Sequence, residues 1–239
     1  MEKGVFLQPV RFGTQSDHPV VKIYFIPHHM DNIDKTIAEY LLQIKAIKLQ
    51  PANPFTWASG WKSPIYCDNR MTLSFPEVRT FIRDSFAARV REFYPGAGLI
   101  AGVATGAIAH GALVADLLQL PFIYVRSGAK EHGLGNQIEG HFEKGQKVVV
   151  IEDLISTGGS SLGAVRALRE AGCEVMGMIA IFTYGFKKAS DAFAAESCRL
   201  DTLSNYGVLV DMAVSSGYIT ADDVETLKKW RSEPSAWGR

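Results

Sequence analysis

Two acids followed by a run of small hydroxyl and glycine residues, Glu152-Asp153-Leu154-Ile155-Ser156-Thr157-Gly158-Gly159-Ser160, form the densest concentration of chemistry in this sequence. Carboxylates are pure hydrogen-bond acceptors, suited to a sugar diol or to a Mg2+ ion held by one. Hydroxyls beside glycines, where backbone N–H groups approach an anion closely, suit a phosphate. An acid pair joined to a phosphate-sized loop points to a ribose 5-phosphate. A second concentration of charge, Arg126-Ser-Gly-Ala-Lys130-Glu-His132-Gly-Leu-Gly-Asn-Gln-Ile-Glu-Gly140, combines glycine hinges with three cationic or potentially cationic side chains. Those are the parts of a lid that closes over a polyanion. Residue types alone leave two plainer readings open, a capped strand-to-helix turn at 152–160 and a solvated loop at 126–140.

Both stretches need rigid elements to hold them. The apolar β-branched run Val148 to Ile151 reads as a strand covered on both faces, as in a parallel sheet. After the loop, Leu162, Val165 and Leu168 recur at helical spacing and Gly172 is placed to end the helix. In such a unit the free N–H groups of the helix point out of the carboxyl edge of the sheet. No lysine lies between Lys147 and Lys187, so this is not a nucleoside triphosphate loop, which carries Gly-Lys-Ser/Thr. Acids that precede the loop, rather than following it by about 20 residues, also exclude a dinucleotide fingerprint.

Further strands are expected at Leu99–Ala104, Phe122–Val125 and Val175–Thr183, with helices over Ala107–Leu118 and from Pro76 to about Tyr94. An earlier helix has Asp31 as a plausible cap and Ile33, Ile37, Leu41 and Ile44 along one face. Two short strands flank residues 58–62. The stretch from Tyr206 onward is expected to be helical, with Thr220 and Asp223 as a capping pair. The fold class expected is α/β, a central parallel sheet flanked by helices.

With 239 residues and 47% apolar content the chain can bury a sizeable core. Lys and Arg number 25, against 25 Asp and Glu, so the overall balance recruits neither nucleic acid nor an anionic membrane. Cys67, Cys173 and Cys198 are widely spaced, without a Cys-x-x-Cys pair, as in a reducing cytoplasmic compartment. No stretch approaches 18 continuous apolar residues, and the first 25 residues do not read as a secretory leader. Pro9, Gly13, Pro19 and Pro27 interrupt residues 1–29, which read as an extension ahead of the domain over 30–239.

The segment 148–161 resembles the phosphoribosyl diphosphate (PRPP) signature of the type I phosphoribosyltransferases. Phe55-Thr-x-x-Ser-Gly-x-x-Ser-Pro-Ile-Tyr66 is similar to the N-terminal hood of the orotate phosphoribosyltransferases, and Arg126-x-x-x-Lys130-x-His132-Gly-x-Gly to their catalytic loop. The resemblance covers about residues 31–233 and implies the type I fold with a small hood, about residues 31–75. It implies PRPP binding by Arg126, Lys130, His132, Glu152, Asp153, Leu154, Ile155, Ser156, Thr157, Gly158, Gly159 and Ser160. Asp153, Lys130 and His132 would be catalytic, Ser156 would also border orotate, and Mg2+ would arrive with PRPP near Glu152 and Asp153 without a dedicated protein site. It further implies a cytoplasmic homodimer with shared active sites.

Three positions depart from the family pattern. Ala58 and Ser127 stand where many members have lysine, and Tyr184-Gly-Phe-Lys-Lys188 stands where many have an arginine that meets the orotate carboxylate. Lys62 is a candidate substitute for the first. Two alternatives remain at this level: a PRPP-sensing regulator, which would need a basic DNA-binding segment, and a purine-type phosphoribosyltransferase, which would keep 148–161 but not the hood.

Overall fold

The computed structural model describes residues 32–57, 60–126, 128 and 137–238. Helix α1 (Ile33–Gln43) buries Ile33, Ile37 and Leu41, as its spacing requires. Asp31 and the extension over 1–29 lie outside the described residues. Next come four short strands: β1 (Ile47–Leu49), β2 (Phe55–Thr56), β3 (Lys62–Ser63) and β4 (Ile65–Cys67). They pair as two antiparallel ribbons, β1 with β4 and β2 with β3. A 3-10 helix over Asn69–Ser74 leads to α2 (Pro76–Phe93), opened by its proline.

The body then alternates strand and helix: β5 (Leu99–Val103), α3 (Ile108–Leu118), β6 (Phe122–Val125), β7 (Ile138–Glu139), β8 (Lys147–Ile155), α4 (Gly159–Glu170), β9 (Glu174–Thr183), α5 (Lys187–Ala195), β10 (Leu200–Asn205), α6 (Tyr206–Ser215) and α7 (Ala221–Ser232). Six strands form one sheet in the order β10-β9-β8-β5-β6-β7, parallel except for the last pair. Helices cover both faces. Val149 and Ile151 of β8 point into the core shared with α1, α2, α3, α6 and α7, while Val148, Val150 and Ile155 join that of α4 and α5. Alternation between two buried faces explains why Val148 to Ile151 are all apolar.

One expectation changes and one element is added. β8 does not stop at Ile151 but runs through both acids to Ile155, kept in register by β9, where Leu154 faces Phe182 and Ile155 faces Thr183. The stretch from Tyr206 onward holds α6 and α7 as expected, and ahead of it Leu200–Asn205, for which no element was expected, forms the sheet's edge strand. The capping pair is present as expected, with Thr220 N–H donating to Asp223 Oδ2 at 3.0 Å.

Candidate active site

β8 and α4 meet at the carboxyl edge of the sheet. Gly158 occupies the N-cap of α4 with φ +82, a left-handed conformation, and a Cβ there would stand 3.0 Å from the Phe193 ring. Only glycine fits on both counts. Gly159, next along, has open space where a Cβ would be, and with Ser160 it is exposed. Ser156 and Thr157 are half-buried. The loop therefore presents unpaired helix N–H groups and hydroxyls to the space above the sheet, an anion site in form.

The two acids, equivalent on paper, differ in structure. Glu152 is 4% exposed; its Oε2 accepts from Ser161 Oγ at 2.7 Å and its Oε1 from the Asp153 N–H at 2.9 Å. Burial, reinforced by the adjacent Asp153 charge, pushes the Glu152 carboxyl well above the usual carboxylate range, while those two hydrogen bonds oppose the shift. Asp153 is half-buried, and its side chain interacts with that of Glu152, which adds to the upward shift there. Its carboxylate lies against the turn after β5, at Gly106, where a Cβ would overlap its oxygens. A glycine there is a steric requirement of the acid. Asp153 is thus the carboxylate offered outward, and Glu152 is committed inward.

Asn69, at the start of the 3-10 helix, donates from Nδ2 to the Asp153 main-chain carbonyl at 2.6 Å. Its own carbonyl accepts from Thr72 Oγ1 at 2.5 Å, and that hydroxyl, having spent its one proton, accepts from Nε2 of His110 at 3.1 Å. Asn69 carried no signal in the sequence and is recognisable only by what lies beside it.

Of the lid residues, Arg126 follows β6. Its N–H donates to the Gln137 carbonyl at 2.9 Å and its carbonyl accepts from Gln137 Nε2 at 2.8 Å, which fastens the two ends of the loop together. Its guanidinium stands 3.7 Å from Glu139. Lys130 and His132, like Ala58 and Ser127, lie outside the described residues. Lys62 is exposed on β3 and its Nζ donates to Thr56 Oγ1 at 2.9 Å. Beyond β9, Tyr184 and Phe186 are buried in a cluster with Trp57, Tyr206 and Trp230, and Lys187 pairs with Asp191. Arg231 of α7 reaches that turn, its Nη2 donating to the Gly185 carbonyl at 3.3 Å.

Residues 82–216 match the family described as Phosphoribosyl transferase domain. The orotate phosphoribosyltransferase of Bacteroides fragilis is 59% identical over 208 residues, 87% of this chain and 98% of that protein. This chain belongs to the orotate phosphoribosyltransferase family. The protein of that name from Listeria monocytogenes is 57% identical over 87% of this chain and 100% of its own length. The crystal structure of orotate phosphoribosyltransferase from Aeropyrum pernix superposes with a TM-score of 0.67 at 27% identity, covering 77% of this chain and 99% of that one. The orotate phosphoribosyltransferase family thus extends over the hood as well as the sheet, and the expected α/β fold with a central, mostly parallel sheet is the one observed.

Proposed function

We propose that the chain transfers the ribose 5-phosphate of PRPP to orotate, giving orotidine 5'-monophosphate and pyrophosphate. The observation that carries this reading is 59% identity over 98% of a protein of that name. The bond from the anomeric carbon to the pyrophosphate oxygen breaks with its electron pair leaving on pyrophosphate, and a ring nitrogen of orotate bonds to that carbon as its N–H proton passes to solvent or to the departing pyrophosphate. Positive charge builds on the ribose and negative charge on the leaving group, so fixed charges lower the barrier more than a nucleophile would.

The chain's residues divide that task. Ser156 to Ser160, with the first turn of α4, hold the 5-phosphate, and Ser156 also borders the base. Asp153 faces the ribose and its developing charge, and Glu152 fixes the strand behind it. Arg126, Lys130 and His132 meet the pyrophosphate. No cluster of three or more His, Cys, Asp or Glu side chains able to hold a metal occurs among the described residues. That donor set, one outward carboxylate beside a phosphate loop, fits Mg2+ carried by its substrate, since this ion keeps waters and takes few protein ligands. Bound with PRPP, Mg2+ supplies charge neutralisation to the departing pyrophosphate. The chain acts as a cytoplasmic homodimer whose lid covers the partner's pocket. Among the described residues no helix is long and apolar enough to cross a membrane.

Pure protein incubated with PRPP, Mg2+ and one base at a time tests the assignment. Orotidine 5'-monophosphate from orotate, with no nucleotide from adenine or hypoxanthine, is the expected outcome. Turnover of a purine instead would return the purine-type reading, and PRPP binding without turnover the regulator.

A further inference from the structure

A carboxylate that stabilises a developing charge must be oriented before the reaction begins, since any reorganisation at that moment adds to the barrier. At Asp153 both main-chain polar groups are held by side chains: its N–H donates to Glu152 Oε1 and its carbonyl accepts from Asn69 Nδ2. The first contact is local. The second crosses 84 positions of sequence and joins the segment that follows the hood ribbons to the acid at the sheet edge.

Asn69 is built for this contact. It is 1% exposed, and its amide is oriented from the other side because Oδ1 accepts from the Cys67 thiol at 3.3 Å. Turning the amide over would set Oδ1 against the Asp153 carbonyl oxygen, two acceptors with no proton between them. Its backbone is anchored in turn by Thr72, itself bonded to His110 in the first turn of α3. The chain Asp153, Asn69, Thr72, His110 thereby connects β8, the hood junction and the helix that follows the Gly106 turn.

We propose that Asn69 is a positioning residue of the transferase, fixing Asp153 against the ribose and tying the placement of that acid to the seating of the hood. The inference rests on the role given to Asp153 above. It requires that the two residues act as one unit.

The test is a double-mutant cycle on the full chain, with PRPP, Mg2+ and orotate. Asn69→Ala is expected to lower kcat by about 10- to 100-fold, the scale of a slightly misplaced catalytic group, with KM for orotate changed by no more than about twofold. In an Asp153→Asn background the same substitution should cost no more than about a further twofold in kcat. If Asn69→Ala fails to give folded protein, Asn69→Ser also lacks a donor of the needed reach, disturbs the packing less, and is held to the same two expectations. Defects that multiply across the cycle, or a wild-type kcat in the Asn69 variants, would overturn the proposal while leaving Asp153 in its role. A fully active Asp153→Asn single variant would remove that role, and the coupling with it.

Discussion

Asp153 and Glu152 are adjacent, chemically similar and differently used. Asp153→Asn alters volume little and leaves the Asn69 bond to the main-chain carbonyl in place, so the fold should survive while kcat/KM falls by about 100-fold or more, a loss typical of an electrostatic group at the reacting centre. Steady-state kinetics beside a thermal melt would show it; near wild-type turnover would displace Asp153 from the mechanism. His110 makes a prediction in pH. It is 1% exposed, and burial, with the Arg79 charge nearby, lowers its pKa from 6.5 to about 4. Between those values the unfolded chain binds a proton that the folded chain does not, so stability is full above pH 6.5 and declines as pH falls toward 4. The loss is about 3 kcal/mol at pH 4. His110→Gln should flatten that part of the stability–pH curve, as measured by urea unfolding. An unchanged slope would assign the decline to other groups.

Elements hold these residues through contacts that are few and specific. α4 is tied to β8 by Ser161 Oγ donating to Glu152, and the hood is tied to the body where Trp57 lies 5.4 Å from the Tyr184 ring and 5.6 Å from that of Trp230. Trp230, fully buried on α7, also touches Phe186 and Tyr206, so one side chain joins the C-terminal helix, the end of β9 and the hood. Trp230→Ala should cost about 3–5 kcal/mol and lower Tm by roughly 10 °C. If the hood borders the base, as its resemblance to the family hood implies, KM for orotate should rise more than KM for PRPP. Equal changes in both would mean that α7 supports the sheet alone.

At the scale of the whole molecule the question is how many chains make a site. Lys130→Ala spoils the lid and Asp153→Asn the pocket, so each should be nearly inactive alone. Unfolded together and refolded at equal concentration, about half of the dimers should be mixed under random pairing. Each mixed dimer keeps one intact pocket beneath one intact lid, so about a quarter of wild-type activity should return. Closure within one subunit would return none. Deleting residues 1–29 should leave kcat and Tm nearly unchanged, because among the described residues the first helix packed on the body begins at Ile33. A soluble, inactive truncation would make that segment part of the site.

Local sequence determined what depends on neighbours in the chain. Val148 to Ile151 reads as strand because both faces are buried, Gly172 as the residue that ends α4, and Thr220 with Asp223 as a capping box, since each of these arrangements is decided within a few residues. The order of strands and helices followed, and with it the fold class. Tertiary structure decided which acid faces outward, because that depends on Ser161 behind Glu152 and Gly106 beside Asp153. It decided that β8 continues through both acids, because β9 supplies the pairing that their sequence does not call for. Edge strand β10, Leu-Asp-Thr-Leu-Ser-Asn, was illegible for the same reason: only Leu203 and Ser204 in it are buried, and its pairing with β9 rather than its own pattern makes it a strand. Asn69 lies 84 positions from the carbonyl it holds, and only folding sets the amide 2.6 Å from that oxygen.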